Sequence, residues 1–290
     1  MKLYYDSRSL ILNGKHILLY GGEFHYFRTP PELWEDRLEK IKEAGCNLIS
    51  TYIPWAWHEP EEGKFLWKKD RDVKKFLKLT KSYGFYVIAK PGPYICAEMD
   101  FGGLPHWLLG KNLKVRTMDR KYLEYVKRWF KEVSKVILPF LYTKGGNIIL
   151  VQIENEYSHL RKLKEYYKSN ESARKYIMEL FKVVRKAGID VPLVTNEATF
   201  LKGVSQIIEV RTFYPNIPGL WSWQFDHFEK ELEKHKIIQP ETPLMVLELQ
   251  SGWFEPSDLP RPYVPAEITD IILKDCIARG VSLFVSYLSL

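Results

Sequence analysis

The feature that most limits the fold of this 290-residue chain is a repeated alternation of short apolar runs with amphipathic stretches. Residues 147–153 (Asn-Ile-Ile-Leu-Val-Gln-Ile) carry no charge and are rich in β-branched side chains, which suits a strand buried on both faces of a parallel sheet. The same reasoning places strands over 16–22, 47–52, 85–90, 192–195, 206–211, 244–249 and 281–288. Helical spacing, ended by Gly or Pro, falls at 32–44, 70–83, 119–138, 172–187, 223–235 and 266–279. Only the link between the fifth and sixth strands lacks a convincing helix. Right-handed crossovers put every helix outside one sheet, so the order predicts an α/β fold, a closed (β/α)8 TIM barrel. Ahead of it, Asn13-Gly14 between apolar runs is a hairpin turn signal, and this segment is expected to plug or line one end of the barrel. With 46% hydrophobic residues the chain can bury one large core, so a single barrel over 1–290 is the expectation.

Two of the strands close on carboxylates. Residues 151–157 read Val-Gln-Ile-Glu-Asn-Glu-Tyr, and residues 244–250 read Leu-Met-Val-Leu-Glu-Leu-Gln. The carboxyl ends of parallel strands face the ligand crevice, so Asn155, Glu156 and Glu248 are expected on one rim. Two such acids can meet across a sugar ring. Glycoside hydrolysis uses this pair, one acid protonating the leaving oxygen while the other attacks the anomeric carbon or activates water to do so.

Other function classes fit less well. Cys46, Cys96 and Cys276 are odd in number and widely spaced, without a Cys-x-x-Cys or matching His pattern, so reduced thiols and no metal site are expected. The net charge of +7 is scattered over helical stretches such as 68–81 and 161–168, which reads as solvated helix faces and not as a nucleic-acid surface. The first residues lack a signal-peptide pattern and no run of about 18 apolar residues occurs, so a soluble, cytoplasmic protein without a membrane partner is the expectation. The Lys and Glu content fits a thermophile. His25, His58 and His106 read as structural histidines, since their spacing matches no metal motif.

Several motifs in order resemble glycoside hydrolase family 35, the family of many β-galactosidases. They are His25-Tyr26-Phe27-Arg28, Glu32-Leu33-Trp34-x-Asp36-Arg37-Leu38, Ala44-Gly45-x-Asn47, Thr51-Tyr52-x-Pro54-Trp55 and His58-Glu59-Pro60. The resemblance continues through Pro91-Gly92-Pro93-Tyr94-Ile95-Cys96-Ala97-Glu98, Gly102-Gly103-Leu104-Pro105-x-Trp107-Leu108, Gln152-Ile153-Glu154-Asn155-Glu156-Tyr157 and Glu248-Leu249-Gln250-Ser251-Gly252-Trp253. It implies a retaining exo-acting β-glycosidase, first of all a β-galactosidase, taking an oligosaccharide or glycoside and needing no cofactor. By the same resemblance Glu156 is the acid/base and Glu248 the nucleophile. Asn155 holds the sugar 2-hydroxyl, and Tyr52, Ala97, Glu98 and Tyr287 contact the glycone. Trp253, close after the nucleophile, is a candidate stacking platform. Mutual proximity of the acids is expected to keep Glu156 protonated and Glu248 ionised.

The chain departs from the family at Ala56, Met99 and Ser158, where Asn, Trp and Gly are usual, so the pocket need not be shaped for galactose. It also stops before the C-terminal β domains that family members carry. This leaves two further readings: an exo-β-glucosaminidase of the same mechanism, or a truncated, partner-dependent or non-catalytic glycan-binding subunit. A homo-oligomer, or a second chain covering the last strand, is the partner such a truncated subunit would need.

Overall fold

The computed structural model describes residues 1–162, 167–214, 225–250 and 266–287. In chain order the strands are β1 Leu3–Tyr5, β2 Leu10–Leu12, β3 Lys15–His16, β4 Leu19–Glu23, β5 Leu48–Tyr52, β6 Tyr86–Gly92, β7 Ile148–Ile153, β8 Leu193–Asn196, β9 Ile207–Phe213, β10 Met245–Gln250 and β11 Leu283–Tyr287. The helices are α1 Trp34–Glu43, α2 Trp55–His58, α3 Val73–Ser82, α4 Arg120–Ile137, α5 Asn170–Lys186, α6 Phe225–Ile238 and α7 Ala266–Ala278. Strands β4 to β11 close into an eight-stranded barrel in which every pairing is parallel, β11 joining β4 to complete the circle. This is the expected (β/α)8 barrel. Between β8 and β9 the chain makes only a 3-10 turn, Thr199–Leu201, where the sequence showed no helical pattern.

Most boundary differences have local causes. The first barrel strand begins at Leu19 and not at residue 16, because His16 pairs with Ile11 in the N-terminal sheet. Helix α3 begins after Asp72, whose carboxylate accepts from the Lys75 N–H at 2.9 Å, while Asp70 lies in a preceding 3-10 turn. Helix α5 starts two residues earlier than its pattern suggested. Ser169 and Ser172 form a reciprocal capping box there, which satisfies amides that would otherwise be orphaned.

Strands β1, β2 and β3 form a small antiparallel sheet around the Asn13-Gly14 turn. Leu10 and Leu12 pack with Leu19, Leu48, Ile149 and Leu283 of the barrel strands, so this sheet stoppers the end opposite the strand carboxyl termini. Burying each such leucine stabilises by roughly 1.5–3 kcal/mol. A glycine is required where β4 meets β5: a Cβ on Gly21 would stand 2.1 Å from the Leu48 carbonyl oxygen. Outside the barrel, Trp34, Phe76, Trp129 and Phe130 fill the layer between strands and helices, and α4 offers them one apolar face under an Asp119 cap.

Strand β11 is paired on both edges, and its side chains from Leu283 to Tyr287 are buried. The three cysteines are free thiols. Among the described residues, no helix is long and apolar enough to cross a membrane.

Candidate active site

Every barrel strand delivers at least one polar side chain to its carboxyl end. Glu23 comes from β4, Tyr52 from β5, Lys90 and Glu98 from β6 and its following loop, and Asn155 and Glu156 from the loop after β7. Asn196 ends β8, Tyr214 follows β9, Glu248 lies in β10 and Tyr287 ends β11.

The β7 loop sets the geometry of its acids. Glu154 and Glu156 both adopt left-handed φ values, 61° and 47°, which turns the chain sharply at the strand end. Glu154 points into the protein, where Arg116 donates to both carboxylate oxygens at 3.2 and 2.7 Å and the Tyr176 hydroxyl donates at 3.0 Å. Arg116 also donates to the Asn155 carbonyl at 2.7 Å and stacks over the Tyr94 ring at 3.5 Å. The loop is therefore stapled from below. Its next acid, Glu156, turns the other way.

Asn196 ties the two candidate catalytic acids together. Its Oδ1 accepts the Glu156 backbone N–H at 2.8 Å, and its Nδ2 donates to Glu248 Oε1 at 3.1 Å and to Asn155 Oδ1 at 3.1 Å. Gln152 Nε2 also donates to Asn155 Oδ1, at 3.0 Å. With its oxygen engaged by two amide donors, Asn155 is oriented to present its NH2 group as a donor.

Glu248 is fully buried and accepts three hydrogen bonds. Tyr214 donates to Oε2 at 2.6 Å, Asn196 to Oε1 at 3.1 Å, and the Tyr52 hydroxyl reaches Oε1 at 3.4 Å. Beneath Tyr52, the Lys90 ammonium lies 4.5 Å from the ring centroid and pairs with Glu23 at 2.8 Å. Burial, then the charge of Glu156, push Glu248 up to about 8, while Lys90 and the Tyr214 hydrogen bond pull it down. This departs from the expectation that Glu248 would stay ionised. The physical reason is depth, which has taken the Glu248 carboxylate out of solvent.

Glu98 stands at the rim with the Tyr287 hydroxyl 2.9 and 3.1 Å from its two oxygens. Loss of solvent raises its pKa, and Tyr287 and Arg28 oppose that. Cys96, Ala97 and Glu98 are three consecutive left-handed residues, held by the Arg28 guanidinium on the Ala97 and Glu98 carbonyls. Ala97 is buried with Tyr52, Ile95 and Tyr287, so its carbonyl is committed to Arg28.

The structure thus gathers Tyr52, Glu98, Asn155, Glu156, Glu248 and Tyr287 around one cleft, with Ala97 in its wall. Trp253 lies outside the described residues, as do Trp221 and Trp223. Trp55 is core, stacked on Trp129, and His58 is structural, bonded to Tyr26 and stacked on Trp67. No group of His, Cys, Asp or Glu among the described residues could hold a metal ion. Sequence reasoning passed over Glu23, Lys90, Arg116, Asn196 and Tyr214. For Glu23, Lys90 and Asn196 a signal existed, a polar residue ending or interrupting an apolar run.

A closed parallel barrel with an acid-rich cleft at its strand ends defines the class, and the comparisons give the family. The model for glycosyl hydrolases family 35 matches residues 9–289, and the chain belongs to that family. It is 38% identical over 245 residues to "Beta-galactosidase-1-like protein 3" of Mus musculus, covering 84% of this chain and 35% of that protein. It is 36% identical over 283 residues to the "Beta-galactosidase" of Homo sapiens, covering 96% of this chain and 39% of that one. The chain therefore spans a little over a third of the length of these relatives. Among solved structures, the endo-1,4-beta-mannanase from Rhizomucor miehei shares the fold, with a TM-score of 0.72 at 10% identity over 99% of this chain and 90% of that one.

Proposed function

We propose that the chain is a retaining exo-acting β-glycosidase, with terminal β-galactosides as its first substrate class. The observation that carries this reading is the Asn196 bridge, which fixes the backbone of one strand-end acid and the carboxylate of the other. In the first step a Glu248 oxygen attacks the anomeric carbon and the bond to the aglycone oxygen breaks, while Glu156 gives its proton to that oxygen. In the second, Glu156 takes a proton from water, the water oxygen attacks the same carbon, and Glu248 leaves as carboxylate. Two inversions retain the configuration.

The acids share a proton as a pair, and the productive arrangement places it on Glu156. The three donors on Glu248 favour its anion and oppose the cost of burial. Asn155 takes the sugar 2-hydroxyl, and Glu98, Tyr52, Tyr287 and the wall at Ala97 take the glycone. The names of the relatives support galactose. One feature favours the glucosaminide alternative: the carboxylates of Glu23, Glu98, Glu156, Glu197 and Glu248 outnumber the lysine and arginine side chains paired with them, Lys90, Arg28 and Arg211, which suits an ammonium sugar.

The test is release of nitrophenol from β-galactoside, β-glucosaminide and β-glucoside substrates by the chain and by Glu248→Ala. Turnover of the galactoside that vanishes in the variant is expected. Preference for the glucosaminide would replace the substrate, and folded protein inert on all three would return the chain to glycan binding.

A further inference from the structure

His159 is absent from every motif that carries the family resemblance, yet it is the imidazole placed on the acid/base candidate. The chain after β7 makes a 3-10 turn, Tyr157–Lys162, and the His159 N–H donates to the Glu156 carbonyl at 3.0 Å. This closes a short turn that brings the ring back over the cleft. Its Nδ1 then lies 3.4 Å from Glu156 Oε2. The His159 side chain is 63% exposed, so the fold does not depend on it.

We propose that His159 is a positioning residue for the acid/base carboxylate, holding Glu156 Oε2 so that Oε1 meets the glycosidic oxygen, and setting by its charge the pH at which that acid gives up its proton. The role rests on Glu156 being the acid/base. Among the described residues, the titratable groups that face the imidazole are Glu156 on its own turn, Glu197 after β8 and Glu248 in β10. The hydrogen bond to Glu156, and then these three negative charges, raise its pKa against the effect of burial. Glu156 in turn is faced by Glu248, Glu98, Cys96 and Tyr214, all of which are neutral or negative. When protonated, His159 sets a positive charge against their repulsion.

The sign follows directly. An imidazolium beside Glu156 favours its carboxylate, so removing that charge makes Glu156 hold its proton to higher pH. The first step needs the proton on Glu156 and defines the alkaline limb for substrates with poor leaving groups. The second needs it off and contributes to the acidic limb for substrates with good leaving groups. Loss of His159 therefore moves both limbs upward together. A merely structural residue would lower rates without moving either.

The experiment compares kcat/KM and kcat against pH for the enzyme, His159→Gln and His159→Ala, on glycosides with poor and with activated leaving groups. His159→Gln, which keeps an amide donor without the charge, is expected to move the limbs up by about half a pH unit or more. His159→Ala is expected to show the same movement and an additional several-fold loss confined to poor leaving groups. Superimposable profiles would overturn the proposal. In parallel, the His159 ring is titrated by NMR in the enzyme and in Glu156→Gln, a readout that needs no turnover. Its midpoint is expected to fall in the variant, and an unchanged midpoint overturns the contact itself. Glu156→Gln assayed on both substrate types separates the two ideas. Equal loss on both would remove the acid/base role while the titration still reports the pairing.

Discussion

Glu154 and Glu156 are two residues apart on one strand end and have opposite fates. Glu154 is surrounded by donors, with Arg116 in bidentate contact and Tyr176 and the Asn155 N–H completing its acceptors. Glu156 faces the cleft, with His159 at its edge and Glu248 across from it. The comparison teaches that residue type and position on a barrel rim do not decide chemistry. What separates these two acids is the partner each one meets. Glu154 is locked to the buried Arg116 guanidinium and holds the loop, whereas Glu156 is left beside a second, buried acid.

The comparison is broken most severely by exchanging the roles. Glu156→Gln should leave the fold intact and lower turnover of glycosides with poor leaving groups by about 10²- to 10⁴-fold, with a smaller loss on activated ones. Glu154→Ala should do the reverse, leaving the buried Arg116 charge without its partner at a cost of about 3–5 kcal/mol. Thermal unfolding of the two variants checks this directly. A Glu154 variant as stable as the parent would show that the Arg116 pairing is not what separates the two acids.

A smaller effect tests the depth of Glu248. An unfolded carboxyl loses its proton in the ordinary range, whereas burial of Glu248 beside Glu156 keeps one proton on the folded pair up to about 8. The folded state therefore binds the extra proton, and this site's contribution to stability declines as pH rises between those values. Glu248→Gln removes the decline. Its melting temperature should exceed that of the parent by a few degrees at pH 8 and by less at pH 5, since about 1 kcal/mol shifts Tm by roughly 2–4 °C in a chain of this size. Equal shifts at both pH values would contradict the assigned burial effect.

The smallest effect comes from Tyr214→Phe, which deletes the 2.6 Å donor to Glu248. The anion loses support, so the acidic limb of kcat/KM should move up by a few tenths to about one pH unit.

The barrel was legible because its signals are local. Uncharged β-branched runs such as 147–153 and one-sided helices such as α4 each declare themselves within a dozen residues. Glu156 and Glu248 stood out for the same reason, as charges closing apolar strands. The supporting residues did not, because their meaning is in pairings across the barrel. Glu23 meets Lys90 across 67 residues, Arg116 meets Glu154 across 38, and Asn196 meets Glu248 across 52. Nothing at either end of such a pair reveals the other. The direction of the Glu248 shift was also missed, since depth of burial is a property of the closed barrel and not of a strand.

The central claim is that Glu248 forms the glycosyl-enzyme bond with Glu156 serving as acid and base. Its most direct test is to trap the intermediate with a 2-deoxy-2-fluoro glycoside of the sugar the enzyme turns over, then map the labelled peptide by mass spectrometry. The account predicts one adduct, on Glu248, forming slowly in Glu156→Gln and absent in Glu248→Ala. Label on another carboxylate, or an inverted product with no adduct from active enzyme, would contradict it.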